Sequence, residues 1–230
     1  MDNIIKIFKR LNEVYVKQRV LLLCLIGQNT ILSLIMLIFA NVIISNGKIN
    51  GELDYSQIRF FYSLAIFMLF LIVLFFAPIL LSRVLNSLYK RNIIEHLLSV
   101  RIDISEIVYA VYFRGLLTLI ILLVSAFPII VISFYFGGFG IVKIFKLFFI
   151  VLSYAVLFSA VCQFISTKLI DENASLVVSY VTGLMLTALN IYYLNHFLNS
   201  SYLFILYIIF NIVMALIFIS ISRNTNIFSA

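Results

Sequence analysis

The sequence has few charged residues. Asp, Glu, Lys and Arg make up 11% of its 230 residues, whereas hydrophobic residues make up 64%. Soluble globular domains carry about 25% charged residues, which help to cover their surfaces. The mean hydropathy of this chain is +1.20. The composition therefore excludes a soluble globule and predicts a protein surrounded mainly by lipid.

Prolines and alternating polar and apolar patterns are also scarce. The chain has two prolines, and its apolar residues occur in long unbroken blocks. Only α-helices and closed β-barrels satisfy every backbone polar group in lipid, and barrel strands would alternate. We therefore predict an all-α polytopic membrane protein with six transmembrane helices, in which Pro78 and Pro128 introduce kinks. The predicted spans are 20–44, 60–81, 115–136, 147–166, 174–194 and 202–221.

Cysteines are equally few. Cys24 and Cys162 both fall within predicted spans. We expect them to pack as small apolar side chains and to form no disulfide. The basic N-terminal segment precedes an apolar block that is too long for a signal-peptide core, so this block is predicted to be a retained first span.

The motifs of common enzyme classes are missing. The chain contains no H-E-x-x-H or G-x-S-x-G pattern, and its only histidines are His96 and His196. A phosphate-binding loop of the type G-x-x-x-x-G-K-[ST] is missing too, because Val42 stands five residues before Gly47 and Lys48. No carboxylate falls inside a predicted span, which disfavours a proton relay. We therefore predict no catalytic residue, no metal site and no cofactor in this chain.

The distribution of positive charge predicts the orientation. With the N-terminus in the cytoplasm, twelve of the sixteen Lys and Arg residues lie on the cytoplasmic side, as the positive-inside rule requires. The four on the outside are Lys48, Arg59, Lys143 and Lys146. The net charge of +7 then reflects topology and contact with anionic lipid rather than nucleic acid. Because Lys143 and Lys146 adjoin the fourth predicted span, a five-span or re-entrant arrangement there stays open.

Residues 1–19 combine apolar and basic positions at helical spacing. Ile4, Phe8, Leu11 and Tyr15 alternate with Lys and Arg residues. This pattern is typical of a helix that lies in the membrane interface. An N-terminal interfacial helix is therefore expected to precede the first span.

The longest predicted cytoplasmic segment is 82–114. Its apolar residues recur often enough to predict one or two short amphipathic helices instead of an open loop. Asp103 or Ser105 is expected to cap the helix that continues into the third span, and Glu106 suits the positive end of its dipole. A connector alone would need fewer residues, so this segment is expected to contact a partner.

Part of this segment resembles a known family. Glu95, Leu97, Leu98 and Ser99, followed by Ile102, Asp103 and Glu106, are similar to the signature E-x-L-L-S-x-P-x-s-x-x-E-I-v of ATP-binding-cassette type-2 permeases. The order of a flat N-terminal helix, two spans, the signature and four spans is also that of the family. Arg101 stands where the family usually has proline. The resemblance implies that the segment acts as a coupling helix on an ATPase subunit. The implied coupling residues are Glu95, Leu97, Leu98, Ser99, Arg101, Ile102, Asp103 and Glu106.

The resemblance also implies partners and an activity. The chain would be one transmembrane domain, 1–230, with spans 1–2 in 20–81, the cytoplasmic coupling helix in 82–114, spans 3–6 in 115–221 and a cytoplasmic tail in 222–230. It would pair with a second copy or a sister permease in the cell membrane, while a separate ATP-binding-cassette ATPase binds ATP and Mg²⁺. An amphiphilic peptide, a lipid-like compound or a hydrophobic drug would be exported. The alternatives are a permease for a haem-type cofactor and a membrane interaction or immunity protein that transports nothing.

Neutral polar residues in the predicted spans have two interpretations. The neutral polar residues of the spans are expected mainly to hydrogen-bond between helices; they are Gln28, Asn29, Thr30, Ser33, Asn41, Gln163, Asn190 and Asn211. Gln28, Asn29 and Ser33 cluster within two turns of the first span. These three are the candidates for a polar substrate path.

Overall fold

The computed structural model describes residues 18–50, 55–90, 104–136, 141–169 and 171–224. These residues form six α-helices, and no strand occurs among them. The helices are α1 (Gln18–Asn50), α2 (Tyr55–Lys90), α3 (Ile104–Phe136), α4 (Ile141–Lys168), α5 (Glu172–Asn199) and α6 (Ser201–Asn224). Of the predicted interfacial helix 1–19, residues 1–17 lie outside the described residues, and Gln18 and Arg19 are the first residues of α1.

Each helix contains an apolar stretch that is long enough to cross a bilayer. The stretches have 20 to 27 residues, and a helix of about 20 residues spans the roughly 30 Å hydrocarbon core. This confirms the prediction of six helices. The five-span alternative at Lys143 and Lys146 is wrong as a description of this fold, because both lysines lie in the single continuous 28-residue helix α4. Helices α2 and α3 also continue through Pro78 and Pro128.

From α2 to α6, successive helices run in opposite directions. The direction of each helix relative to α4 follows from two contacts. Residue numbers rise together where α4 meets α2 (Tyr154 with Phe70, Cys162 with Ser82) and α6 (Ser153 with Asn211, Phe164 with Phe218). They change in opposite directions where α4 meets α3 (Val156 with Tyr112, Gln163 with Val108) and α5 (Tyr154 with Thr187, Phe158 with Gly183). Helices α2, α4 and α6 are therefore parallel, and α3 and α5 run against them. This is the arrangement expected when each helix crosses the membrane once.

Helices α4 and α2 form the centre of the bundle. Their apolar stretches are 67% and 61% buried, against 12% for α1 and 17% for α6. The rings of Phe70, Tyr154 and Phe158 are fully buried between them. The outer helices direct large apolar side chains outward, for example Leu37 of α1 and Leu216 of α6. Apolar residues thus occupy both the interior and the surface, as a lipid environment requires.

The bundle has two different ends. At the short-loop end, 51–54, 137–140 and Ser200 connect the helices; at the long-loop end, 91–103 connects α2 to α3 and 169–171 connects α4 to α5. Helix α2 continues beyond its apolar stretch Ser63–Ser82 to Lys90, and α3 already begins at Ile104. Much of the predicted connector 82–114 therefore belongs to these two helices. Ser105 lies in the first described turn of α3, and Asp103 lies outside the described residues.

Candidate functional site

Most of the predicted coupling residues lie outside the described part of the chain. This holds for Glu95, Leu97, Leu98, Ser99, Arg101, Ile102 and Asp103. Glu106 is described: it is partly exposed in the first turn of α3. Its carboxylate is therefore near the positive end of the helix dipole, as expected from the sequence.

The helices that flank 91–103 are hydrogen-bonded to α4 and to the residue that follows it. Near the end of α2, Asn86 Nδ2 donates to the carbonyl oxygen of Leu169 at 3.3 Å. Near the start of α3, Gln163 Nε2 donates to the carbonyl oxygen of Val108 at 2.7 Å. Asn86 and Gln163 are both almost fully buried. A displacement of 91–103 would therefore be transmitted to α4 from two sides.

A buried polar seam continues from these contacts into the bundle. We define it as Ser82, Asn86, Gln163, Ser175 and Ser179, which lie on α2, α4 and α5. The Ser82 hydroxyl donates to the Cys162 carbonyl at 3.1 Å and lies 3.0 Å from the Ser179 hydroxyl. Two polar atoms of the seam, Gln163 Oε1 and Ser175 Oγ, are buried and have no hydrogen-bond partner among the described residues. Such unsatisfied groups each cost about 1–3 kcal/mol, so this end of the core is less stably packed than an all-apolar one.

A second polar layer lies towards the short-loop end. The Tyr154 hydroxyl is 2.7 Å from the Thr187 hydroxyl, the Tyr207 hydroxyl donates to Asn190 Oδ1, and Asn211 Nδ2 donates to Ser153 Oγ at 3.1 Å. These bonds join α4 to α5, α5 to α6 and α6 to α4. Together with the Gln163 bond to α3, they confirm that Gln163, Asn190 and Asn211 link helices.

The three candidate path residues do not form one surface. Consecutive residues of an α-helix point about 100° apart. Gln28 faces α3, where its Nε2 donates to the Leu122 carbonyl at 3.1 Å. Asn29 and Ser33 share another side of α1 and are partly buried. The Oε1 atom of Gln28 and the Oδ1 atom of Asn29 are buried without a partner among the described residues.

An apolar groove separates α1 from α2. Its volume is about 490 Å³, and of the lining residues that the structure describes only Gln28 is strongly polar. A Cβ atom added at Gly27 would have no atom within 4 Å, so the groove is open at this position. The groove is lined by Cys24, Gly27, Gln28, Ile31, Leu32, Ile35, Met68, Leu71, Ile72, Phe75 and Phe76.

Lys146, near the short-loop end, contacts two residues of α6. Lys146 Nζ donates to Ser201 Oγ at 2.9 Å and lies 5.7 Å from the centre of the Phe204 ring. Its aliphatic stem can extend along the apolar surface while the ammonium reaches the interface. This contact explains how a positive charge lies within the first turns of a spanning helix.

The sequence interpretation missed part of the polar seam. Ser82 and Asn86 were assigned to the connector, although their spacing of four residues places both on one side of a helix. The burial of Tyr154 and Tyr207 cannot be predicted from the sequence, because tyrosine is also frequent at membrane interfaces. Cys24 and Cys162 are both free thiols, as predicted.

Comparison with known proteins adds no relative: no family model, curated protein or solved structure matches the chain. Within the described ranges, no group of His, Cys, Asp or Glu residues is arranged to hold a metal ion. The six apolar helices define the chain as a multi-pass α-helical membrane protein.

Proposed function

We propose that the chain is the membrane-spanning subunit of an ATP-driven exporter, in which a separate ATP-binding-cassette subunit hydrolyses ATP. The observation that carries the proposal is the family-like segment from Glu95 to Glu106 between the second and third spans. A second copy of the chain, or a sister permease, would complete the transport path. The chain itself would contribute no catalytic residue.

The geometry around this segment supports the proposal. Helices α2 and α3 approach 91–103 from the same end of the bundle, and Asn86 and Gln163 attach them to α4 and the residue that follows it. A partner that pushed on the segment would therefore act on the most buried helix of the bundle. From α4, a further bond leads through Thr187 to α5.

The short connections suit export better than capture from outside. Between helices, the end opposite the proposed ATPase has only 51–54, 137–140 and Ser200. These segments are too short to form a substrate-collecting domain. We propose that an amphiphilic peptide, a lipid-like compound or a hydrophobic drug enters from the cytoplasm or the inner leaflet.

Removal of the coupling side chains tests the proposal. We expect the double substitution Glu95→Ala and Leu98→Ala to abolish co-purification of the ATPase, because it removes a charge that sets register and an apolar anchor that gives affinity. The variant should still insert in the membrane. The measurement is the amount of ATPase recovered per tagged chain after mild detergent extraction.

Asp171→Asn is the matched control. Asp171 is an exposed carboxylate in the other connection at the long-loop end, and its side chain accepts from Ala174 N, a bond that Asn preserves. This variant should recover as much ATPase as the parent chain. Undiminished recovery of the ATPase with the double variant would refute the coupling role, and failure of the parent chain to recover any ATPase would refute the exporter itself.

A further inference from the structure

The groove between α1 and α2 lies entirely within membrane-spanning segments. Its residues fall in the apolar stretches Leu22–Val42 and Ser63–Ser82. Helix α1 packs mainly against α3 and only sparsely against α2, which leaves the space open. Ile31 on one rim and Phe75 on the other are more than half exposed. An occupant must therefore reach the groove through the bilayer.

The lining selects the chemistry of that occupant. Among the described residues, none that contributes to the wall is charged. The Gln28 amide nitrogen is already bonded to α3, and its Oε1 atom is covered by the protein. A phosphate headgroup or a charged peptide would lose its hydration there without gaining a partner. The occupant is therefore hydrocarbon.

The dimensions of the groove fit a single acyl chain, whereas a helix is too wide to enter it and could only cover its open side. From Cys24 to Ile35 the groove extends for roughly 16 Å along α1 at 1.5 Å per residue, so its volume of about 490 Å³ corresponds to a mean cross-section of about 30 Å². An α-helix with side chains is about 10 Å across and needs roughly 80 Å². One extended hydrocarbon chain is about 4 Å thick and about 5 Å across its zigzag, so it needs roughly 20 Å².

We infer that this groove is a binding site for one acyl chain of a bilayer phospholipid. Phospholipid is the hydrocarbon present at the highest concentration at the open rim, so it occupies the groove by mass action. The site does not depend on transport or on an ATPase. The acyl chain would fill the space between α1 and α2 and complete the packing of the two helices.

A tryptophan reporter tests this inference directly, because the chain has no tryptophan of its own. Phe76→Trp places the reporter in the groove wall, and Phe210→Trp places one on the lipid-facing side of α6. The full-length protein is reconstituted in phosphatidylcholine nanodiscs with increasing fractions of a phospholipid that is brominated in mid-chain. Both reporters should be quenched, since bromine quenches tryptophan on contact.

Filling the groove should separate the two reporters. Gly27→Leu adds a side chain from the α1 wall, and Leu71→Phe enlarges one on the α2 wall. Each should reduce the quenching of the groove reporter at least twofold and leave the α6 reporter unchanged, which also shows that the fold is intact. Ala40→Leu enlarges a residue of α1 outside the groove and should change neither reporter.

Three results would overturn the inference. The first is a groove reporter that is not quenched in the unfilled protein, as expected if a helix of a second copy covers it. The second is quenching that neither filling variant reduces, as expected for ordinary contact with surrounding lipid. The third is quenching by a brominated free fatty acid but not by the phospholipid, which would make the occupant a free amphiphile.

Discussion

Two glycines that look alike in the sequence have opposite surroundings. A Cβ atom at Gly183 of α5 would lie 2.6 Å from Leu74 Cδ1 and would also collide with the Phe158 ring, whereas the space beside Gly27 is empty. Small residues let membrane helices approach closely where no hydrophobic effect draws them together. Gly183 therefore sets the distance of α5 from the centre of the bundle. Sequence alone does not distinguish the two positions, because the difference arises from residues on other helices.

This contrast predicts different effects of the same substitution. We expect Gly183→Ala to lower the free energy of unfolding by about 1–3 kcal/mol, the usual cost of overpacking. Gly27→Ala should be neutral or slightly stabilising, because alanine favours the helix and meets no neighbour. Thermal unfolding of the two purified variants in one detergent measures the difference. Equal stability of both variants would show that α5 does not approach α2 and α4 this closely.

At the scale of the helix, hydropathy located the membrane-spanning stretches better than the helix ends. The charged and polar residues after Leu81 end the apolar block, and the sequence interpretation therefore placed a connector there. The helix continues to Lys90 because leucine, arginine and lysine are also good helix formers in water. The polar seam was hidden for the same reason: Ser82 and Asn86 lie beyond the apolar block, yet they are buried by α4 and α5.

For the exporter proposed above, the attachment of α2 and α3 to α4 predicts a phenotype distinct from loss of the ATPase. In the double variant Asn86→Leu and Gln163→Leu, both helix ends lose their bonds, each worth about 0.6 kcal/mol on average in membranes. Co-purification of the ATPase should persist. The difference in ATP hydrolysis rate between the bound and the free ATPase should shrink several-fold, because the coupling segment is no longer held to the central helix.

Asn211→Leu provides the comparison for this variant. It removes a bond of the same kind between α6 and Ser153 of α4, but away from the long-loop end. It should leave the ATP hydrolysis rate of the complex unchanged. If Asn211→Leu reduced the rate as strongly as the double variant, the effect would come from general loosening of α4 and not from its attachment to α2 and α3.

For the whole molecule, the alternating directions of the helices place each connection at one of two ends, so that the Lys and Arg residues of the two sides can be compared. Because α2, α4 and α6 are parallel and α3 and α5 run against them, the long-loop end and the C-terminal end of α6 lie on one side. The short-loop end carries Lys143 and Lys146, and Lys146 is held by Ser201 and Phe204.

The six spans could be predicted from the sequence because every block reaches the length that lipid requires. The packing order could not, since apolar side chains cover both the inside and the outside of each outer helix.

This arrangement makes the orientation testable with single cysteines. In a background with Cys24→Ala and Cys162→Ala, Ser201→Cys reports the short-loop end and Asp171→Cys the long-loop end, and both positions are exposed. The predominance of Lys and Arg on the long-loop side predicts that this side is cytoplasmic. A membrane-impermeant maleimide should therefore label position 201 in intact cells, and position 171 only after the membrane is opened. Labelling of both positions in intact cells would contradict the six-span crossing. Labelling of position 171 alone in intact cells would be consistent with six spans but would show the inverted orientation. The proposed coupling segment would then be out of reach of any cytoplasmic ATPase.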